Sequence, residues 1–164
     1  MENKCIKFFT LLRIVIFVAM KEEIKLVGIA SDHAGYPMKE AIKSYLQNHS
    51  IKVEDFGTHS TESVDYPDFA HPLAKAVESG SIPFGIALCG SGNGISMTLN
   101  KHQGVRAALC WNSELAKLAR EHNNANIVSL PARFIDTKCA IEIVEAFFSS
   151  SFEGGRHLRR VEKI

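Results

Sequence analysis

Short strand-like segments alternate along this chain with segments whose apolar residues recur every three or four positions. The strand-like segments lie at 24–30, 51–56, 84–88, 105–110 and 127–130. Mostly apolar runs of this length are typical of parallel strands that are covered on both faces. The alternation predicts an α/β fold: a doubly wound, Rossmann-like sheet of five parallel strands with helices on both faces.

The helical segments follow each strand. One carries an apolar stripe at Met38, Ile42, Tyr45 and Leu46, and another runs through Met97. Further helices are predicted at 66–78, at about 112–122 and at about 136–148. Ligands of such sheets bind beyond the carboxyl ends of the strands. The loops after the first, third, fourth and fifth strands are therefore where we expect the chemistry.

The first twenty residues differ from the rest of the chain. The segment 8–20 is apolar but is interrupted by Arg13, and it is shorter than the roughly 20 residues of a membrane-spanning helix. No small-residue cleavage site follows it, as a signal peptide would require. We therefore expect residues 1–20 to be an extension, with Met20 as a possible natural start, and residues 21–164 to form a single domain.

Charge and cysteine content exclude several classes of function. The 19 basic and 18 acidic residues give a net charge of +1, so we expect neither a nucleic acid nor a membrane as partner. The four cysteines include no C-x-x-C pair, which argues against a zinc site and a disulfide framework and favours a reducing, cytoplasmic location. We expect Cys5, Cys110 and Cys139 to be small buried apolar residues.

The loop Cys89–Gly94 is the most informative stretch. Its three glycines alternate with other residues, so the backbone can approach a ligand closely and offer N–H groups to an anion. The spacing matches neither a dinucleotide fingerprint nor a Walker A loop, and on the loop alone a plain tight turn is an equal alternative. Cys89, at the end of a strand and beside a helix N-terminus, has a favoured thiolate and could be a nucleophile or a base.

Two histidines are predicted to lie at the ligand-binding edge of the sheet. His33 follows the first strand, and His122 closes the fourth helix, where the asparagines after it could simply cap the helix. A third histidine, His157, belongs to the basic segment 154–160. This segment is either a solvated tail or a guanidinium fork for a phosphate.

Six segments together resemble one family. They are Ser31–Gly35, Asp65–Pro67, Cys89–Ser96, Asn100–Lys101, Arg120–Asn124 and Gly154–His157. Over about 24–164 the chain is similar to ribose-5-phosphate isomerase B and its relatives, the galactose-6-phosphate and allose-6-phosphate isomerases. Each segment is a weak signal, but the ordered set is specific.

The resemblance implies a role for each matching residue. Cys89 matches the base, and Ile95 stands where another branch of the family has a catalytic glutamate. Asp32 and His122 match the pair that opens the sugar ring, and Ser91 the hydroxyl that shuttles protons between the sugar oxygens. The remaining matches bind substrate: N–H groups of Gly90, Gly92, Asn93 and Gly94 for the enediolate, Tyr66 and Asn123 for hydroxyls, and His33, Arg133, Arg156 and Arg160 for the phosphate. His157, in the same basic segment as the last two arginines, is also expected to bind substrate.

The implied activity is the interconversion of ribose 5-phosphate and ribulose 5-phosphate through a cis-enediolate. The resemblance also implies no cofactor and no metal, and a homodimer or dimer of dimers in which a C-terminal helix carries Arg156 and Arg160 to a neighbouring active site. Two alternatives stay open. The substrate could be allose or galactose 6-phosphate, or the chain could be a non-catalytic sugar-phosphate sensor.

Overall fold

The computed structural model, which describes residues 24–164, contains one sheet of five parallel strands. The strands are β1 (Leu26–Ser31), β2 (Lys52–Asp55), β3 (Gly85–Cys89), β4 (Ala107–Leu109) and β5 (Ile127–Pro131). Their order across the sheet is β2-β1-β3-β5-β4. The fold class predicted from the alternation of segments is confirmed.

Six helices complete the domain within the described residues. They are α1 (Tyr36–Asn48), α2 (Pro67–Glu78), α3 (Asn93–Leu99), α4 (Ser113–Asn123), α5 (Thr137–Ser149) and α6 (Gly155–Val161). Two of them begin with a side-chain cap. The Asn112 side chain accepts a hydrogen bond from the Leu115 N–H at the start of α4, and Asp136 does the same for Cys139 at the start of α5.

The sheet separates two apolar layers. Along β3, Ile86 and Leu88 pack into the layer formed with α1, α4 and α5. Ala87 and Cys89 point to the opposite face, where α2 and α3 supply the apolar partners. Because side chains alternate across a strand, the last residue of β3 directs its thiol toward the α2 and α3 side.

The helices return the chain from the carboxyl edge of the sheet to its amino edge. The turn after α4 demonstrates this, because the Asn126 carbonyl accepts a hydrogen bond from the N–H of Gly85, the first residue of β3, and the Asn126 N–H donates to the Arg106 carbonyl just before β4. The segment before α6 lies there too, since the Glu153 N–H donates to the Glu121 carbonyl at 3.0 Å. The end of α4 and the start of α6 therefore occupy the amino edge.

A buried ion cluster fixes the end of β2. Lys39, fully buried, donates to Asp55 Oδ1 at 2.6 Å, and Lys43 donates to Asp55 Oδ2 at 2.8 Å. Burial alone would raise the pKa of Asp55, but hydrogen bonds from both lysines and from the Gly57 N–H lower it below its usual value. The cluster therefore holds a charged carboxylate at the point where β2 passes into the loop toward α2.

One strand is shorter than the sequence predicted, and two other expectations are not tested by the described residues. The fourth strand covers only Ala107–Leu109 rather than 105–110, because it is an edge strand paired with β5 alone. Helix α6 packs against α4 of its own chain, and its reach to a partner stays a prediction. In the part of the chain described, no helix has the length and apolar character needed to cross a bilayer. The expectations for residues 1–20 fall outside the described residues.

Candidate active site

The loops after β1 and β3 meet at the point where the strand order reverses. From β1 the chain moves to β2 on one side, and β3 lies on the other; ligands of open α/β sheets bind beyond the carboxyl ends of the strands at such a point. The Asp32 N–H, directly after β1, donates to the Leu88 carbonyl at 3.1 Å. Asp32 and Cys89 are therefore adjacent at the switch point, as their positions after strands predicted.

The Cys89 thiol is held by its own loop. Its Sγ accepts a hydrogen bond from the Gly92 N–H at 3.1 Å, and the residue is 4% exposed. The loop opens to solvent directly beside it, because Gly90 and Ser91 are half-buried and Asn93 is exposed. The Asn93 N–H donates to Ser91 Oγ at 3.3 Å. Two backbone N–H groups of the loop thus hold the Cys89 thiol and the Ser91 hydroxyl.

Gly92 is required by both conformation and space. Its φ of +73° is in the left-handed region, which favours glycine. A Cβ there would lie 2.4 Å from Leu109 Cδ1 and 3.1 Å from the carbonyl carbon of Leu130. The loop is therefore packed directly on the backbone of the neighbouring strand β5.

Two predicted substrate-binding residues lie against the same loop. A Cβ on Gly94 would lie 2.5 Å from the Tyr66 ring, and a Cβ on Gly90 would lie 3.3 Å from Arg133 Cδ. The Arg133 N–H also donates to the Gly90 carbonyl at 3.0 Å. The missing side chains of these glycines thus make room for the tyrosine ring and the arginine chain.

The backbone of Val64 anchors the His33 ring through Nδ1. This nitrogen lies 3.2 Å from the Val64 N–H and 3.3 Å from the Val64 carbonyl oxygen, so Val64 engages Nδ1 in either neutral tautomer. Asp32 is buried, and its Oδ1 accepts from the Gly35 N–H at 3.0 Å. The first-strand loop therefore holds one imidazole ring by its Nδ1 next to one oriented carboxylate.

A second cluster of predicted site residues lies at the opposite edge of the sheet. The rings of His122 and His157 stack with centroids 4.1 Å apart and planes 5° apart. Glu153 Oε2 is 3.9 Å from His122 Nε2 and 3.7 Å from His157 Nε2. The Arg156 Nε–H donates to His157 Nε2 at 3.2 Å. We call His122, Glu153, Arg156 and His157 the amino-edge cluster.

The expectation that His122 lies at the ligand-binding edge of its own chain is wrong. It is on the last turn of α4, just before the turn that bonds to the first residue of β3, whereas Cys89 is the last residue of β3. Four residue steps along a strand span about 13 Å. A helix that follows a strand ends at the amino edge, so His122 and Cys89 of one chain stand at opposite ends of the sheet.

The amino-edge cluster offers three potential metal ligands, two imidazoles and one carboxylate, but its geometry does not suit a cation. The ligand atoms of His122, Glu153 and His157 lie within 4.8 Å of one another. Imidazole binds a metal through a lone pair in the ring plane, and in stacked parallel rings these lone pairs run side by side instead of converging. The Arg156 N–H also already occupies His157 Nε2.

Glu153 is the residue of this cluster that the sequence interpretation missed. Its position four residues before His157, which places it within reach of the start of α6, was the available signal.

The predictions for the other cysteines can be compared with the structure. Cys110 is buried as predicted, and burial raises the pKa of its thiol to about 12. Cys139 is only half-buried, because it lies in the first turn of α5. Cys5 falls outside the described residues.

Comparison with known proteins places this site in a family. A family model described as Ribose/Galactose Isomerase matches residues 27–164. The ribose-5-phosphate isomerase B of Escherichia coli K12 is 39% identical over 141 residues, which cover 86% of this chain and 95% of that protein.

Solved structures agree with this result. A ribose 5-phosphate isomerase from Thermotoga maritima superposes with a TM-score of 0.83 at 51% identity, over 84% of this chain and 95% of that one. The ribose-5-phosphate isomerase B of Mycoplasma genitalium, solved with bound ribulose-5-phosphate, gives 0.81 at 42% identity, over 84% and 92% of the two chains. With the thiol loop, the switch point and these relatives in agreement, this chain belongs to the ribose/galactose isomerase family.

Proposed function

We propose that this protein interconverts ribose 5-phosphate and ribulose 5-phosphate with Cys89 as the base, in active sites that each combine two chains. Family membership makes the chain a sugar-phosphate isomerase; the pentose, the base and the dimer are the proposal. The observation that carries it is the Cys89 thiol under the Gly92 N–H at the switch point, with Tyr66 and Arg133 against the same loop.

The reaction moves one proton between neighbouring carbons. The Cys89 thiolate takes the proton from C2 of the open-chain aldose, leaving an enediolate whose charge the N–H groups of the loop 90–94 stabilise. The same thiol then returns the proton to C1. Ser91 carries the hydroxyl proton from O2 to O1, so that atoms and charges balance and no redox partner is needed.

The phosphate end binds away from the thiol. Arg133 is tied by its backbone to Gly90, and its guanidinium can form a bidentate pair with phosphate. His33 adds its Nε2, the ring nitrogen that Val64 does not engage, which donates to the phosphate when it carries a proton. Binding of this remote group orients the reacting carbons over Cys89.

In the proposed dimer, the partner chain supplies the site residues that each chain holds at its amino edge, away from its own Cys89. His122, Asn123, Arg156 and Arg160 all lie at or near the amino edge, too far to reach a sugar on their own Cys89. An isologous dimer that joins the amino edge of one chain to the carboxyl edge of the other builds two complete sites. The ring-opening His122 and the two arginines would then act together on the partner's substrate.

The proposal is tested by an assay that couples formation of ribulose 5-phosphate to a reductase. We expect Cys89→Ala to abolish turnover while ribose 5-phosphate still binds in calorimetry, because the phosphate contacts are intact. Cys139→Ala is the matched control, since this half-buried thiol lies in α5 and should leave activity unchanged. Turnover of Cys89→Ala near the wild-type rate would exclude the thiol as base.

The same assay separates the alternatives. Higher kcat/KM on allose or galactose 6-phosphate than on ribose 5-phosphate would assign a six-carbon substrate. Binding of these sugars without isomerisation by the wild-type chain would indicate a sensor. The joint presence of Asp32, Cys89 and His122 argues for catalysis.

A further inference from the structure

The amino-edge cluster contains a ring that the proposed chemistry does not use. His157 is buried, with 6% of the residue exposed, and its ring lies flat on that of His122 at 4.1 Å. His122 itself keeps 34% of its side chain exposed. One histidine is thus presented to solvent while the other supports it from behind.

His157 carries no charge in this arrangement. Its Nε2 accepts the Arg156 Nε–H at 3.2 Å, so the ring proton is on Nδ1. Burial lowers the pKa of His157 first, and the charges of His122, Arg156 and Arg160 lower it further, against an opposing effect of Glu153. Of these groups, His122 lies on α4, Arg156 and Arg160 lie on α6, and Glu153 lies on the segment between α5 and α6.

We propose that His157 is a positioning residue that holds His122 and Arg156 in fixed relation, so that the ring-opening histidine and the phosphate-binding arginine reach the substrate as one unit. The proposal rests on the function proposed above. The flat face of the ring orients His122, and its Nε2 orients the guanidinium of Arg156. Both partners then serve the same active site, that of the neighbouring chain.

The structure explains why such a support is needed. His122 is on the last turn of α4, and α6 is a short helix that follows a double glycine. A half-exposed histidine at a helix end has several rotamers available, and a misplacement of about 1 Å in a catalytic group can cost about 100-fold in rate. The stack and the hydrogen bond remove this freedom before substrate binds.

Two substitutions separate the two contacts of His157. His157→Phe keeps a flat neutral ring but cannot accept from Arg156; we expect kcat within about threefold of wild type and a KM raised several-fold. His157→Ala removes both contacts, and we expect kcat to fall between about 10-fold and 100-fold. Arg159→Ala, an exposed change in the same helix, is the control and should change neither constant.

A spectroscopic readout shows the stack directly. In the wild-type chain the His122 Cε1–H resonance should carry the upfield ring-current shift of a stacked aromatic partner. This shift should persist in His157→Phe and disappear in His157→Ala. Circular dichroism and the oligomeric state of each variant confirm that the fold is retained.

The outcomes distinguish this inference from the proposed function. Failure of the wild-type chain to isomerise, or full activity of His122→Ala, refutes the proposed function. With an active wild-type and an inactive His122→Ala, an unchanged kcat in His157→Ala refutes the positioning role. If His157→Ala raises KM and leaves kcat unchanged, His157 is a substrate contact and the positioning role is refuted. If both His157 variants lose the same factor in kcat, the ring stack does not position His122, and the proposal is refuted as well.

Discussion

Mixed dimers test whether each active site takes residues from two chains. Chains with Cys89→Ala and chains with His122→Ala are co-expressed under two affinity tags, and the mixed dimer is purified through both. Cys89 ends β3, while the turn after α4 bonds to the start of β3, so about 13 Å of strand separates their edges. A composite site therefore needs Cys89 of one chain and His122 of the other.

The expected activity follows from counting sites. In the mixed dimer, one site has both substitutions and the other has neither, so the coupled assay should give about half the wild-type rate per dimer, while each parent homodimer stays at background. A mixed dimer of Cys89→Ala with Asp32→Asn is the control: both residues lie at the carboxyl edge, so each site has one defect and no activity returns. Background activity in the first mixed dimer would refute the composite site.

Further predictions concern the loop and the ion cluster. Gly94→Ala places a Cβ 2.5 Å from the Tyr66 ring, so Tyr66 must move; steady-state kinetics should show a raised KM, and an unchanged KM contradicts the assigned contact. Lys39→Met leaves the Asp55 carboxylate with Lys43 and the Gly57 N–H, and urea titration should show a loss near the lower end of the roughly 3–5 kcal/mol for a broken buried pair; Lys43→Met, the more exposed partner, should cost less. Because the folded pKa of Asp55 is lowered, its contribution to stability is present above the unfolded pKa of about 3.9 and is lost as pH falls through the folded value. In Asp55→Asn, the free energy of unfolding should therefore fall less at low pH than in the wild type.

Much of the fold was accessible from local sequence patterns, because each strand and helix has its own apolar period. Two strands end one residue beyond the predicted position: β3 ends at Cys89 rather than at 88, and β5 ends at Pro131 rather than at 130. The shortness of β4 was not accessible, since its pairing with β5 alone is a property of the whole sheet.

The site was predicted in parts. Asp32 and Cys89 follow adjacent parallel strands, so their proximity could be inferred from strand ends alone. The edge of His122 could also have been inferred, because a helix after a strand returns to the amino edge. The sequence interpretation instead assigned the end of this helix to the ligand-binding edge. The room that Gly90 and Gly94 leave for Arg133 and Tyr66 depends on tertiary packing, and no local pattern encodes it.

The carbonyls of Cys89 and Gly90 accept hydrogen bonds from the N–H groups of Ala132 and Arg133, each at 3.0 Å. The sulfur proposed as the base and the arginine proposed to bind phosphate are therefore held on two adjoining strand ends that are hydrogen-bonded to each other. If the proposed roles hold, this fixed spacing would set the number of carbons between the reacting centre and the phosphate. A change of preferred sugar length would then require altering the side chains that reach across this fixed span, while the strands themselves stay in place.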